Sequence, residues 1–338
     1  MVRKLADEGV SRHVVERDHS IPTFPTFAFN PIAGGARGFI AGLVKPHGMD
    51  ERAALRIVES LVGAAGDDAA IIDGQAVSVD MLHETSDFPE GVTPYTAGWR
   101  AISVSLSDLA AVGAQPTVTL GVYSPPQFER SALEAFINGA IDASTRVGAE
   151  YVGGDLDITD ELTTVGIAIG KVDQPVGRSG ANEGDAIVVT GTLGRGAIAV
   201  RKFEAGAVEE GNELFRFTPR IEPGRYLASE ATAMIDSSDG LARSLHLLAE
   251  ASDCGFEIEE AAIPIDPQLE EIVSDAEERR SLGIFWGEDF ELIATLPPDT
   301  VDDMRSSIDI PLHQIGTVTE DGLKLDDASL PDRGFSHR

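Results

Sequence analysis

The sequence predicts an α/β protein of two domains, and three observations carry that prediction. Strand-like runs rich in Val and Ile alternate with segments of helical period in both halves of the chain. The length, 338 residues, suits two domains of ~100–200 residues each. Glycine is plentiful, at 35, while aromatic residues make up only 6%, so tight turns and a core of Ala, Val, Ile and Leu are expected.

Residues 1–48 differ from the rest. They hold six Lys or Arg (Arg3, Lys4, Arg12, Arg17, Arg37, Lys45) and four acids (Asp7, Glu8, Glu16, Asp18), a net of +2 in a chain of net charge -31. Pro22, Pro25, Pro31 and Gly34-Gly35 break them up, and no period is sustained. The segment is expected to be poorly ordered. It reads either as a real N-terminal arm or as a translation-start artefact, with Met49 the true start.

From Asp50, Ala53-Ala54, Ile57-Val58 and Leu61 recur at helical spacing. Ala69–Ile72 and Ala76–Asp80 read as strands joined by the turn Asp73-Gly74. Ala97–Val112 and Ser131–Val147 read as helices, and Val118–Val122, Tyr151-Val152 and Leu162–Ile169 as strands. A first domain over residues 49–176 is expected to end near Val176, and a second to span 177–338. In the second, Ala186–Thr190, Ala233–Ile235, Phe256–Ile258, Glu291–Leu296, His313–Val318 and Leu323-Lys324 read as strands. Gly194–Lys202 and Gly240–Ser252 read as helices. The acidic stretch Glu204–Asn212 reads as a loop.

The charge excludes some functions. With 57 acids against 26 basic residues, only five of them Lys, the surface repels nucleic-acid phosphates and anionic membranes. A cytoplasm of high salt, where ions screen the self-repulsion, is the preferred setting. The lone Cys254 rules out an internal disulfide. No apolar run reaches the ~18–20 residues of a membrane span, and Met1-Val2-Arg3-Lys4 is not followed by the apolar stretch of a secretory signal.

Candidate chemistry lies in acids beside glycines and at strand ends. They are Gly66-Asp67-Asp68, Ser78-Val79-Asp80, Ser107-Asp108, Gly153-Gly154-Asp155, Asp236-Ser237-Ser238-Asp239-Gly240 and Gly287-Glu288-Asp289. Taken singly, each Asp reads as a solvated cap or turn residue, and Asp239 as a helix N-cap. Brought together, such carboxylates would repel one another without hard divalent cations, which they hold with help from substrate phosphates. Glycines let a polyphosphate approach the backbone. Phosphoryl transfer needs little else from a protein. A Gly-x-x-x-x-Gly-Lys-Ser/Thr loop and a His-Arg-Asp loop are both absent. Gly191-Thr192-Leu193-Gly194-Arg195-Gly196 reads as a strand-to-helix turn. Arg178 is a candidate phosphate clamp in a chain so poor in Lys.

These motifs, together with Gly98-Trp99-Arg100-Ala101, Ser105–Ala110, Gly184-Asp185 and Val189–Gly194, resemble the thiamine-monophosphate kinases in order and spacing from about Met49 onward. The resemblance implies the two-domain fold of the aminoimidazole ribonucleotide synthetase superfamily. That fold has an N-terminal α/β domain that dimerises through its sheet, a C-terminal α/β domain and an active site in the cleft between them. It implies Mg²⁺-dependent, direct transfer of the ATP γ-phosphoryl group to thiamine monophosphate by a cytoplasmic homodimer. It implies metal ligation by Asp68, Ser78, the Val79 backbone, Asp80, Asp108, Asp155, Asp236 and Asp239, with Asp108 bridging several ions as the catalytic residue. Ile137, Gly154, Asp155, Arg178 and Ser238 are implied for ATP, and Asp87, Glu288 and Phe335 for substrate.

Three positions depart from that family's pattern. Asp87 stands where a His is common, Ile137 where a nucleotide-contacting Tyr is, and Trp286 replaces the first Gly of a Gly-Gly-Glu-Asp motif. Rival readings are another ATP-using enzyme of the superfamily and a non-catalytic, cation-binding acidic protein. A selenophosphate synthetase would want a reactive Cys near the start of its domain, and a hydrogenase-maturation relative would want a C-terminal Cys.

Overall fold

The computed structural model describes residues 51–335, Ala64 excepted, so the expectation of disorder for residues 1–48 lies outside the described residues. Helix α1 (Glu51–Leu61) leads into a five-stranded sheet. Its hairpin, β1 (Ala70–Ile72) and β2 (Gln75–His83), turns on Asp73-Gly74, at φ 52° and 77°. A two-residue loop with both φ positive matches the twist of antiparallel strands. Short helix α2 (Glu84–Asp87), long helix α3 (Pro94–Ala111), β3 (Gln115–Ser124), α4 (Arg130–Arg146), β4 (Glu150–Leu156) and β5 (Thr163–Lys171) follow. The strand order is β1-β2-β5-β3-β4, with only β3 and β4 parallel. Gly153-Gly154-Asp155, expected to follow a strand, lies inside β4. Parallel pairing with β3 resumes after an irregularity and carries the strand on to Leu156.

The second half builds a seven-stranded sheet. Its elements are β6 (Ala186–Thr190), α5 (Arg195–Glu204), α6 (Val208–Phe215), α7 (Ile221–Leu227), β7 (Ala233–Asp236), α8 (Leu241–Ser252) and β8 (Gly255–Ile258). Then come α9 (Gln268–Ile272), α10 (Ala276–Phe285), β9 (Leu292–Leu296), α11 (Val301–Ser307), β10 (Leu312–Thr319), β11 (Leu323–Leu325) and β12 (Ala328–Ser329). The order is β12-β11-β8-β10-β6-β9-β7, mixed in direction. Strands β6, β7 and β9 are buried at every residue, which is why they read as continuous apolar runs rather than alternating ones. Both halves are therefore mixed α/β, as the sequence predicts. The expected boundary at Val176 falls in the connection between β5 and β6.

Glu204–Asn212 is not the expected loop, because α6 takes up its second half. Its acids Glu209, Glu210 and Glu213 form the exposed face. Asn212 turns inward, donating to the carbonyls of Gly91 (3.0 Å) and Val208 (2.8 Å) and accepting from Thr93 N (2.9 Å). The acidic count hid a helix whose inner face is one amide and one aromatic ring, Phe215.

Helix α3 is the spine. Pro94 at its first position and the Thr93 side chain, which accepts from Thr96 N, start it. It packs on α4, β2, β3 and β5, and also on α7 and β7 of the second half. Small residues permit this crowding. A Cβ on Gly98 would strike the Phe136 carbonyl, and one on Gly139 the Tyr95 carbonyl, so α3 and α4 touch backbone to backbone. Among the described residues no helix is long and apolar enough to cross a membrane. Gly139→Ala should gain at most ~1 kcal/mol of helix propensity. It should lose about 1–3 kcal/mol to the forced separation. A net fall in the urea midpoint is expected, and an unchanged or raised midpoint would refute the close contact.

Candidate active site

Strand β2 alternates its faces, so Val79 and Met81 point outward, 65% and 54% exposed, while Ser78 and Asp80 turn toward α3. Ser78 Oγ donates to an Asp108 carboxylate oxygen and lies 3.4 Å from Asp80 Oδ2. Asp108 sits in the last turn of α3. Asp236, the final residue of β7, is 2% exposed and accepts from Ser107 Oγ. Asp68, just ahead of β1, completes the group. One carboxylate oxygen each from Asp68, Asp108 and Asp236 lie within 4.8 Å of one another. The sequence separates these residues widely, and the fold brings them to one point.

Burial governs their electrostatics. Desolvation, then the charge of Asp68, pushes the Asp236 carboxyl up to about 8. Desolvation and the neighbouring carboxylates of Asp80, Asp236 and Asp68 hold Asp108 well above the usual carboxylate range. Asp80 is raised by burial too. Arg178 is the counter-charge, with Nε 3.3 Å and Nη2 2.9 Å from the two oxygens of Asp68. Burial opposes its charge, but Asp68, Asp236 and Asp108 outweigh burial and hold it protonated above its ordinary range. One guanidinium faces a group of carboxyls whose oxygens are the ligands hard divalent cations take once those groups give up their protons, so the donor set fits the implied metal.

The neighbouring Asp67 is exposed and turns away, accepting from Arg178 N at 2.7 Å. The remaining sequence candidates stand at varied distances from this point. Asp155 is exposed on β4 and accepts from its neighbour Leu156 N (2.9 Å), with Gly154 beside it; it is not in the close group. Ile137 packs on α4 against the apolar cluster of Ala97, Ala101, Tyr123 and Phe136. Ser238 and Asp239 follow Asp236 directly. The N-cap of α8 is Gly240, so Asp239 does not cap that helix. Its charge instead acts on Glu288.

The loop after α10 pairs with this turn. Ser237 N donates to Glu291 O (2.8 Å), Phe290 N to Ser237 O (3.0 Å) and Glu288 N to Ser238 O (2.7 Å). Glu288 and Phe290 are left-handed at φ 65° and 54°. Non-glycine residues hold that conformation only where surrounding structure imposes it, commonly at functional sites. Beside the loop opens a cavity of about 920 Å³. Asp87, Glu288 and Phe335 all line it, with Phe88, Phe215 and Trp286 among the aromatic wall. Asp87 Oδ2 is tied back to His83 N (2.6 Å) and Ser86 Oγ (2.8 Å). The C-terminal stretch bearing Phe335 is fastened by Asp332, which pairs with Arg52 of α1 and Arg243 of α8.

Sequence reasoning missed the groups beneath this loop. Asp289 accepts from Gly194 N (3.0 Å) and Gly196 N (3.1 Å) at the start of α5, and burial pushes it up to about 7. Glu291, 2% exposed, pairs with Arg220 and accepts from Thr190 Oγ1 at 2.7 Å. Arg100 is buried within α3. A cation inside a helix of small and apolar residues is the one signal that could have marked it, since a buried charge demands a partner.

The domain description AIR synthase related protein, N-terminal domain, matches residues 66–172, and the corresponding C-terminal domain matches 182–327. Thiamine-monophosphate kinase of Halobacterium salinarum is 50% identical over 291 residues, 86% of this chain and 100% of that one. The chain belongs to the thiamine-monophosphate kinase family. Among solved structures, "AaThiL complexed with AMPPCP and TMP" aligns with a TM-score of 0.78 at 26% identity, covering 86% of this chain and 97% of that one. The thiamine-monophosphate kinase of Stenotrophomonas maltophilia K279a aligns at 0.71 and 30%, covering 82% and 96%. Family membership gives the acidic convergence a chemical context that geometry alone leaves open.

A pH dependence follows from the raised carboxyls. In the folded, metal-free protein Asp236 keeps its proton up to about 8, whereas the unfolded chain releases it near the ordinary 3.8. Stability from this group is therefore present in acid and lost as pH rises across that window. Metal-free protein should show a falling thermal midpoint between pH 5 and 8. Asp236→Asn should flatten the fall, and Mg²⁺ should raise the midpoint more at pH 8 than at pH 5. A midpoint rising with pH would contradict this.

Proposed function

We propose that this chain transfers the γ-phosphoryl group of ATP to thiamine monophosphate, yielding thiamine diphosphate and ADP. The observation that carries the reading is the meeting of Asp68 and Asp108 with Asp236 from the other half of the chain. The turn bearing Asp236 is itself hydrogen-bonded to the loop that lines the cavity. The Halobacterium salinarum relative carries the name of this activity, and the AaThiL structure holds AMPPCP, an ATP analogue, with TMP.

Asp68, Asp108 and Asp236, with Asp80, Ser78 and the Val79 backbone, would hold Mg²⁺; Asp155 and Asp239 would join them once a triphosphate is in place. Bound there, the ions would neutralise the polyphosphate and the charge that develops on transfer. Asp108, touching Ser78 and central to the group, is the catalytic carboxylate in this reading. Arg178 exchanges part of its hold on Asp68 for a phosphate, a bidentate partner of the same geometry. Ser238 and Gly154 contact the nucleotide, and Ile137 offers it apolar surface. Transfer is direct and in line, with both substrates held in one site.

The cavity suits thiamine monophosphate. Its aromatic wall and acids match a flat, cationic thiazolium, which is attracted to ring faces and to carboxylates. Phe335 stacks on it, Asp87 accepts from the aminopyrimidine, and Glu288 contacts the substrate across from it.

The same reading takes residues 49–176 and 177–338 as the two domains and the protein as a homodimer. Ile72, Val79, Met81, Val152 and Leu156 are exposed apolar residues on the first sheet, at 50% or more, and a second copy would cover them. The net charge of -31 fits a salt-rich cytoplasm.

The test is an assay in high salt with ATP, Mg²⁺ and either thiamine monophosphate or thiamine. Thiamine diphosphate is expected from the first and little product from the second. Asp108→Asn should lower kcat by at least about 100-fold, the scale of losing a key electrostatic group, with an unchanged circular dichroism spectrum. ADP release without thiamine diphosphate, or near-normal activity of Asp108→Asn, would overturn the reading.

A further inference from the structure

Arg100 occupies an unusual place in this molecule. Its side chain is 1% exposed, on a helix otherwise lined by small and apolar residues. The guanidinium lies 3.8 Å from the Phe215 ring centre, with the rings of Phe290 and Phe217 at 5.4 and 5.6 Å. Nη1 donates to Phe215 O at 3.2 Å, and Nη2 bonds the Oε2 atom of Glu288. Its Nε has no hydrogen-bond partner among the described residues. Burial lowers its affinity for a proton, and Glu288 and Asp87 offset only part of that. Both of those acids line the cavity. A buried cation this incompletely paired is weak support for a fold's stability, so its presence calls for a role beyond stability.

Glu288 shows the other half of the arrangement. Its backbone is left-handed, and Ser238 O fixes its N–H. With Oε2 held by Arg100, the other carboxylate oxygen has no protein donor among the described residues and remains for whatever fills the cavity. The same helix carries Asp108 eight residues on, about 12 Å along the axis. Helix α3 thus holds one group at the carboxylate cluster and another against Glu288, which lines the cavity.

We propose that Arg100 is a positioning residue for substrate recognition: it aims the Glu288 carboxylate at the thiamine monophosphate bound in the cavity. The inference rests on the reading of that cavity as the thiamine monophosphate pocket. Arg100 does not touch the substrate and acts through Glu288. The fork geometry and the stacking on Phe215 suit Arg, and Lys preserves the charge alone.

The test is steady-state kinetics of Arg100→Met, Arg100→Lys, Glu288→Gln and Arg100→Met/Glu288→Gln. Arg100→Met should raise KM for thiamine monophosphate about 10- to 100-fold, the scale of a charge-assisted hydrogen bond. Its KM for ATP should stay within about threefold and kcat should change much less, with Arg100→Lys recovering part of the loss. In the Glu288→Gln background the Arg100 change should add nothing, because the two act as one unit. If Arg100→Met alone does not fold, the double variant, which leaves no unpaired buried charge, is compared with Glu288→Gln instead. Equal KM values would support the proposal. Independent, multiplying effects, or a KM for thiamine monophosphate unmoved in Arg100→Met, would overturn it. Wild-type protein that turns over no thiamine monophosphate would instead refute the pocket's assignment.

Discussion

Carboxylate oxygens of Asp68, Asp108 and Asp236 lie within 4.8 Å of one another, and once ionised these groups repel each other. At an effective dielectric of about 20, each ionised pair at this separation costs about 3–4 kcal/mol. The metal-free protein answers in two ways. It raises the proton affinity of Asp108 and Asp236, and it supplies one counter-charge, Arg178, against Asp68. The first answer fails as pH rises past about 8 and the Asp236 carboxyl ionises. In the proposed function a divalent ion would remove the repulsion, and a triphosphate arriving with it would replace the guanidinium's hold on one acid. On that reading the binding energy of the co-substrate would be coupled to relief of charge repulsion in the free protein.

Helix α3 gives that electrostatic arrangement its geometry. Buried nearly all round, it touches the first sheet, α4, and α7 and β7 of the second half. Glycines at 98 and 139 let it lie against α4 with no side chain between. A rod so enclosed cannot shift one end without the other. Ser107 and Asp108 at one end meet Asp236, and Arg100 two turns earlier meets Glu288. The turn Asp236–Gly240 and the loop Gly287–Glu291 are in turn stitched together by backbone bonds. The carboxylate cluster and the aromatic cavity are therefore joined through α3 and this pair of loops.

Much of this was legible in the residues. Val- and Ile-rich runs marked nearly every long strand, and the Asp73-Gly74 turn announced its hairpin, because local backbone chemistry decides both. Ser78, the Val79 backbone and Asp80 came from the family resemblance, and the alternation of β2 places Ser78 and Asp80 on the α3 side. The Gly-Asp motifs pointed at Asp68, Asp108 and Asp236 before their meeting was visible. What stayed hidden depended on packing. Helix α6 was masked by its own acids, since its folding rests on Asn212 and Phe215 finding partners far away in sequence. Asp289 read as part of an acidic motif and Glu291 as the start of a strand, yet they turn inward to the α5 turn and to Arg220. Arg100 was one letter inside a helix, and its importance comes from where Phe215 and Glu288 arrive.

The claim beneath all of this is that acids from the two halves form one cation site. Mn²⁺ binding, followed by the electron paramagnetic resonance signal of the free ion, reads it without turnover. Asp68→Asn and Asp236→Asn should each weaken the same tight Mn²⁺ binding, and the double variant should be little worse than either. Additive losses from separate sites, or tight binding undisturbed by Asp236→Asn, would contradict the account.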